Sequence, residues 1–167
     1  DPRLRADLRK LTLRLLKDAN VATLLVTHDP REALAVSQTV TILEKGRVIQ
    51  SGDVEDVYFK PNSLSAAKMF GPVNSFSPYR MNAGVPPFSG EITKLSGIAE
   101  DGTIFVRPEF IQVRGPNGDS NAIVREKTNE GSTTLFLLEM QSQLKVYART
   151  FNPTSLKVND RVHASFD

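Results

Sequence analysis

His28 is the side chain best placed to do chemistry. It follows a continuous apolar run, 21–27, and precedes Asp29-Pro30. Such a run is typical of a strand buried on both faces of a parallel sheet, and open α/β sheets bind ligands outside the carboxyl ends of their strands. An imidazole there can donate a hydrogen bond to a phosphate oxygen or orient a water molecule. The alternative is a structural histidine that satisfies loop carbonyls.

A second candidate site has two charged residues, Arg107 and Glu109, on either side of Pro108. Because proline restricts the backbone, the spacing predicts an ion pair between Arg107 and Glu109 beside a fixed turn. The group fits either a structural corner or a ligand site. Aromatic residues of the same half alternate with aliphatic ones, which indicates core packing, with base stacking as the alternative; they include Phe105, Phe110, Phe136 and Tyr147.

Composition excludes several kinds of chemistry. The 167 residues include no cysteine, which removes disulfides, thiolate zinc sites and cysteine nucleophiles. Two histidines are too few for a histidine-based metal cluster. The net charge of +2 does not favour nucleic acid or an anionic membrane as the partner. No Gly-x-x-x-x-Gly-Lys-Ser/Thr phosphate-binding motif occurs.

The elements that position His28 follow an α/β pattern over residues 1–71. Asp1-Pro2 is an N-cap followed by proline, and leucines at helical spacing then predict an amphipathic helix. Asp29-Pro30-Arg31-Glu32 predicts the start of a second helix. A hairpin over 39–50 and two short helices, the second over 63–70, should follow. The leucines of the first helix are Leu4, Leu8, Leu11 and Leu15.

The pattern changes after residue 71. Residues 72–89 contain four prolines and no helical periodicity, which indicates a linker and a domain boundary. From residue 90 onward, short strand-like segments separated by turns predict a small barrel or sandwich. The predicted strands are 90–95, 103–106, 110–113, 122–128, 133–139, 144–150 and 161–166.

Several segments resemble one protein family. The string from Leu25 through Thr27-His28-Asp29 to Leu34 resembles the switch-histidine region of ABC transporter ATPases. Asp1-Pro2-Arg3 is similar to the family's D-loop, segment 42–52 to the last hairpin of its nucleotide-binding domain, and segment 57–61 to the helix after it. The segment Val106-Arg107-Pro108-Glu109 resembles TOBE domains, small OB-like barrels appended to importer ATPases. Pro30 departs from the family, in which many importers carry Gln.

The resemblance implies an α/β remnant of a P-loop ABC ATPase domain (1–71), a linker (72–89) and an all-β, OB-like TOBE barrel (90–167). It implies a parent protein that hydrolyses ATP with Mg²⁺, as a dimer on the cytoplasmic face of a membrane. Its partners would be a second ATPase copy, membrane-spanning permease subunits and, indirectly, a substrate-binding protein. His28 would contact the γ-phosphate and the attacking water, and Asp1 would lie at the dimer interface. The barrel would contact its twin or sense regulators.

The sequence does not begin with methionine, so we expect an interior piece of a longer protein. The family's phosphate-binding motif normally precedes Asp1, so we expect this chain alone neither to bind nor to hydrolyse ATP. We also expect it to self-associate through segment 21–27 or through Leu8, Leu11 and Leu15. The alternative hypothesis is a free-standing OB-type module that binds nucleic acid or a small ligand, which the sequence before Asp1 would distinguish.

Overall fold

The structure is a computed structural model, and it describes residues 2–78, 96–115, 119–151 and 155–166. The chain divides into two compact units, Asp1–Val54 and Glu55–Asp167. The first unit therefore ends well before residue 71, where the sequence prediction placed the end of the first domain. The two short helices predicted after residue 53 therefore belong almost entirely to the second unit.

The first unit opens with the predicted helix, α1 (Pro2–Asp18). The helix ends where Asn20 adopts a left-handed conformation, with φ of 53°. The N–H of Val21 then donates to the carbonyl of Leu16 at 2.9 Å, which closes the helix end. Leu8, Leu11 and Leu15 on its apolar side are exposed.

The interior strand predicted over 21–27 is not formed. The segment has no regular secondary structure, and none of the described strands pairs with it. Its apolar side chains face solvent: Leu24 is 90% exposed and Val26 is 86% exposed. A strand is held by hydrogen bonds to neighbouring strands, so an apolar, β-branched run without such a neighbour stays irregular.

The remainder of the first unit has its predicted form, with α2 (Pro30–Val36) followed by a hairpin of β1 (Thr39–Glu44) and β2 (Arg47–Asp53). The strands pair antiparallel. Lys45 and Gly46 connect them with φ values of 50° and 76°, as a two-residue hairpin turn requires. Val40 and Ile42 of β1 are buried.

The second unit starts with two short helices, both predicted. These are α3 (Val54–Phe59), whose first residue closes the first unit, and α4 (Leu64–Met69). Ser63 caps α4, and its hydroxyl accepts the N–H of Ala66 at 3.2 Å. Pro61 in the connection between them is buried. Ala66 and Ala67 of α4 are also buried, so this helical segment packs closely within its unit.

Two antiparallel sheets make up the rest of the second unit, and together they are called the β domain. Strand order is β3-β5-β4 in the smaller sheet and β6-β10-β7-β8-β9 in the larger. The strands are β3 (Asn74–Phe76), β4 (Gly97–Ile98), β5 (Ile104–Val106), β6 (Ile111–Arg114), β7 (Ala122–Asn129), β8 (Thr133–Met140), β9 (Lys145–Phe151) and β10 (Arg161–Phe166).

Both sheets contribute to one hydrophobic core. Along β8 buried and half-buried residues alternate, which is the two-residue period of a strand with one face on a core. Phe136 and Leu138 of β8 and Val106 of β5 are fully buried members of this core. The predicted core packing of aromatic residues is confirmed for Phe105 and Phe136, which are buried and therefore cannot stack on bases.

The sequence missed two short strands. β3 lies inside the predicted linker 72–89, and β4 was not predicted. Asn74 of β3 is buried, and its side chain exchanges two hydrogen bonds with the backbone of Tyr147 in β9. The predicted strand 90–95 lies outside the described residues. In the described parts of the chain, no helix is long and apolar enough to cross a membrane.

Candidate functional sites

His28 lies at the N-terminal end of α2, in a loop shaped by local hydrogen bonds. The carboxylate of Asp29 accepts the N–H of Arg31 at 2.9 Å and caps the helix. The hydroxyl of Thr27 donates to Glu32 at 2.7 Å and accepts the N–H of Asp29 at 3.0 Å. These bonds fix the backbone on both sides of His28, because the residues before and after it are both engaged.

The imidazole of His28 is exposed and makes no hydrogen bond to any described residue. The alternative role, in which it satisfies loop carbonyls, therefore has no partner in the described parts of the chain. The ring of His28 is therefore open to solvent beside the capped end of α2. Asp1, the predicted dimer-interface residue, lies outside the described residues.

Arg107 occupies a different environment, in the second unit between β5 and a 3₁₀ turn (Pro108–Phe110). It is 1% exposed. Its Nε donates to the carbonyl of Tyr58 and its Nη1 to the carbonyl of Ala67, both at 2.9 Å. The guanidinium carbon lies 4.3 Å from the centre of the Tyr58 ring, which is a cation–π distance. Arg107 thus faces helix carbonyls and a ring instead of solvent.

The predicted ion pair between Arg107 and Glu109 is not formed. The 3₁₀ turn begins at the buried Pro108 and leaves Arg107 inside the unit while Glu109 lies at the surface. Glu109 instead accepts the hydroxyl of Tyr58 at 2.6 Å and Nη1 of Arg149 at 3.2 Å. Arg149 also binds Glu130 at 2.8 Å, so one polar chain links α3 to β9 and to the turn before β8.

Burial and neighbouring charges shift the pKa values of this group. Burial and the hydrogen bond to Glu109 raise the pKa of Tyr58 to about 12. Burial lowers the pKa of Arg107 from its usual value, since a desolvated cation loses hydration. Burial also disfavours the charge of Arg149, but the carboxylates of Glu130 and Glu109 outweigh it and raise the pKa of Arg149 overall.

The described residues contain no group of three or more histidine, aspartate or glutamate side chains able to hold a metal ion. His163, the second histidine, lies in β10 with its Nδ1 2.8 Å from the carbonyl oxygen of Asp119.

The β domain is the part of the chain that matches a known protein family. Residues 104–167 match the TOBE domain family, so the resemblance found around Arg107-Pro108-Glu109 is confirmed and extends over β5 to β10.

The wider resemblance is confirmed as well. The chain is 32% identical over 148 residues to the Fe(3+) ions import ATP-binding protein FbpC of Pseudomonas fluorescens, covering 86% of this chain and 42% of that protein. It is 33% identical to the spermidine/putrescine import ATP-binding protein PotA of Ureaplasma parvum, covering 78% of this chain and 26% of that protein. It is 29% identical to the sulfate/thiosulfate import ATP-binding protein CysA of Methylococcus capsulatus, covering 97% of this chain and 49% of that protein.

The chain is thus related over most of its length to ATP-binding subunits of ABC-type importers. It spans less than half the length of these relatives.

The sequence analysis missed the residues that bond Arg107, Glu109 and their partners. No local pattern marked Tyr58, Glu130 and Arg149 as members of one cluster with Glu109, because they are far apart in sequence and meet only in the folded chain. The motif around Pro108 identified the centre of this cluster and not its partners. Asn74 likewise lay in a segment with no pattern beyond its prolines.

Proposed function

We propose that this chain is part of the ATP-hydrolysing subunit of an ABC-type importer, in which ATP hydrolysis drives uptake of a substrate across a membrane. The observation that carries the proposal is the similarity to import ATP-binding proteins over as much as 97% of the chain. In this proposal residues 1–71 are the C-terminal portion of a nucleotide-binding domain, and the TOBE domain is regulatory. The subunit works as a dimer with permease subunits, on the cytoplasmic face of the membrane.

His28 is the proposed catalytic residue. In the closed dimer its imidazole contacts the γ-phosphate and the attacking water, and Asp1 couples the two copies at their interface. The exposed ring and the hydrogen bonds that fix Thr27 and Asp29 beside it support this role. ATP and Mg²⁺ are used by the full-length subunit.

Replacing His28 tests the proposal in the full-length subunit that contains this chain. We expect His28→Ala to lower kcat by on the order of 100-fold or more while the affinity for ATP changes little, because the contact forms in the reactive state. ATPase kinetics and nucleotide-binding titrations measure the two quantities.

The matched control is His163→Ala, the same substitution at the other histidine, which should leave kcat unchanged. An unchanged kcat in His28→Ala would remove His28 from the catalytic machinery. Absence of ATPase activity in the unmodified full-length subunit would overturn the proposed function itself.

The chain on its own is expected not to bind ATP. Phosphate-binding loops hold nucleotide phosphates with backbone N–H groups and a lysine; this sequence has no such motif, and His28 alone cannot replace it. Calorimetric titration of this chain with Mg·ATP checks the prediction, and micromolar binding would contradict it.

A further inference from the structure

The carbonyls bonded to Arg107 belong to the ends of two different helices. Tyr58 lies in the last turn of α3 and Ala67 in the last turn of α4. Carbonyls of a last helical turn carry partial negative charge, and the carbonyl of Ala67 also accepts the N–H of the C-cap residue Phe70 at 3.4 Å. One guanidinium from the β domain therefore caps both helices at once.

The contacts around this cation favour arginine specifically. Nε and Nη1 point in different directions from one planar group, so each reaches its own carbonyl while the plane lies over the ring of Tyr58. The guanidinium carbon of Arg107 also lies 6.0 Å from the centre of the ring of Phe70, the residue just after α4. No carboxylate of the described residues lies within ion-pair distance of Arg107, so its direct contacts are the two helix carbonyls and the rings of Tyr58 and Phe70. Its Nη2 is buried and has no hydrogen-bond partner among the described residues.

We propose that Arg107 is a clasp that couples α3 and α4 to the β domain, so that the helical segment 55–70 and the strands move as one body. The polar chain from Tyr58 through Glu109 to Arg149 is a second, surface-exposed tie between the same parts. The inference concerns the second unit alone and does not depend on the ATPase proposal.

Hydrogen exchange of the full chain, followed by mass spectrometry, tests the clasp. In Arg107→Met the side chain keeps a similar length, but both charge-assisted hydrogen bonds, to the carbonyls of Tyr58 and Ala67, are lost. We expect amides of segment 55–70 to exchange at least about tenfold faster than in the unmodified chain. Amides of β7, β8 and β9 should keep their rates within about twofold.

Arg125→Met is the matched control. Arg125 also bonds through Nε, but to Glu139 on an exposed face of the β domain. This variant should leave segment 55–70 unchanged, because the lost ion pair lies outside the clasp.

Arg107→Lys keeps the test decisive if the methionine variant does not fold. Lysine retains the charge but cannot reach two carbonyls from one planar group, so segment 55–70 should still exchange faster than in the unmodified chain. Unchanged exchange of segment 55–70 in a folded Arg107 variant would overturn the proposal. Equal acceleration in β7–β9 would also overturn it, since Arg107 would then stabilise the whole core and not the attachment of the helices.

Discussion

At the scale of single residues, side-chain amides replace missing strand partners. Asn74 donates to the carbonyl of Tyr147 at 2.8 Å and accepts its N–H at 2.7 Å. Asn121 makes the same pair of bonds to Ala164, at 2.9 Å and 2.8 Å. An asparagine amide presents one donor and one acceptor side by side, as a peptide group does. These two residues therefore satisfy the backbone groups of Tyr147 in β9 and Ala164 in β10.

Tyr58 makes the free energy of unfolding depend on pH in the alkaline range. A tyrosine in the unfolded chain titrates near 10.0, whereas burial and the bond to Glu109 raise the folded pKa to about 12. Between these pH values the unfolded chain has lost the proton and the folded chain has kept it. The stabilisation is thus complete below pH 10 and is lost as the pH rises through about 12.

Urea unfolding at pH 9 and near pH 11.5 measures this effect. The free energy of unfolding should fall more in the unmodified chain than in Tyr58→Phe, which lacks the titrating hydroxyl. Tyr147→Phe, at an exposed ring, serves as the control and should behave like the unmodified chain. Parallel curves for the unmodified chain and Tyr58→Phe would contradict the assignment.

At the scale of elements, Gly97 sets how closely β4 approaches the connection between α3 and α4. A Cβ at Gly97 would collide with the backbone and ring of Pro61. Pro61 is fully buried, so it has no room to move away. Close packing at this point holds the helical segment against the smaller sheet, independently of Arg107.

Gly97→Ala should therefore destabilise the second unit by about 1–3 kcal/mol, the usual cost of overpacking a tight contact. Chemical denaturation monitored by circular dichroism measures the change. Gly115→Ala is the matched control, since a Cβ there meets nothing within 4 Å; its effect should stay within about 0.5 kcal/mol. Equal stability of the two variants would show that β4 can shift without cost.

At the scale of the whole molecule, exposed apolar side chains are concentrated in the first unit. Leu24 and Val26 are almost fully exposed, and Leu8, Leu11 and Leu15 are more than half exposed. Apolar patches of this kind mark contact surfaces, and strand-forming segments without neighbours pair with other chains. The exposure of these residues supports the prediction that the chain self-associates.

Sedimentation velocity over a range of concentrations checks this prediction. The unmodified chain should form dimers or larger species, through segment 21–27 or the leucines of α1. Leu24→Lys combined with Val26→Lys should reduce the association, because charges oppose strand pairing across an interface. Phe151→Lys, at an equally exposed apolar residue of β9, should not. A monomer at every concentration would refute the prediction.

The sequence by itself determined the elements whose signals are local. Leucine spacing predicts α1, the Asp29-Pro30 cap predicts α2, and Lys45-Gly46 lies in a predicted hairpin turn. The strands from β5 to β10 were predicted within one or two residues. Each of these patterns involves residues that are close together in the sequence, so the sequence alone is sufficient to detect it. His28 and the motif at Arg107 were found in the same way.

Only the tertiary structure decided features that need partners distant in sequence. Segment 21–27 has the composition of an interior strand, yet it is irregular because no described strand pairs with it. β3 has no pattern of its own and forms because it pairs with β5 and is tied to β9 through Asn74. Arg107 bonds carbonyls 49 and 40 residues earlier instead of Glu109, its expected partner. Burial of one cation requires several acceptors at once, and folding alone brings them together.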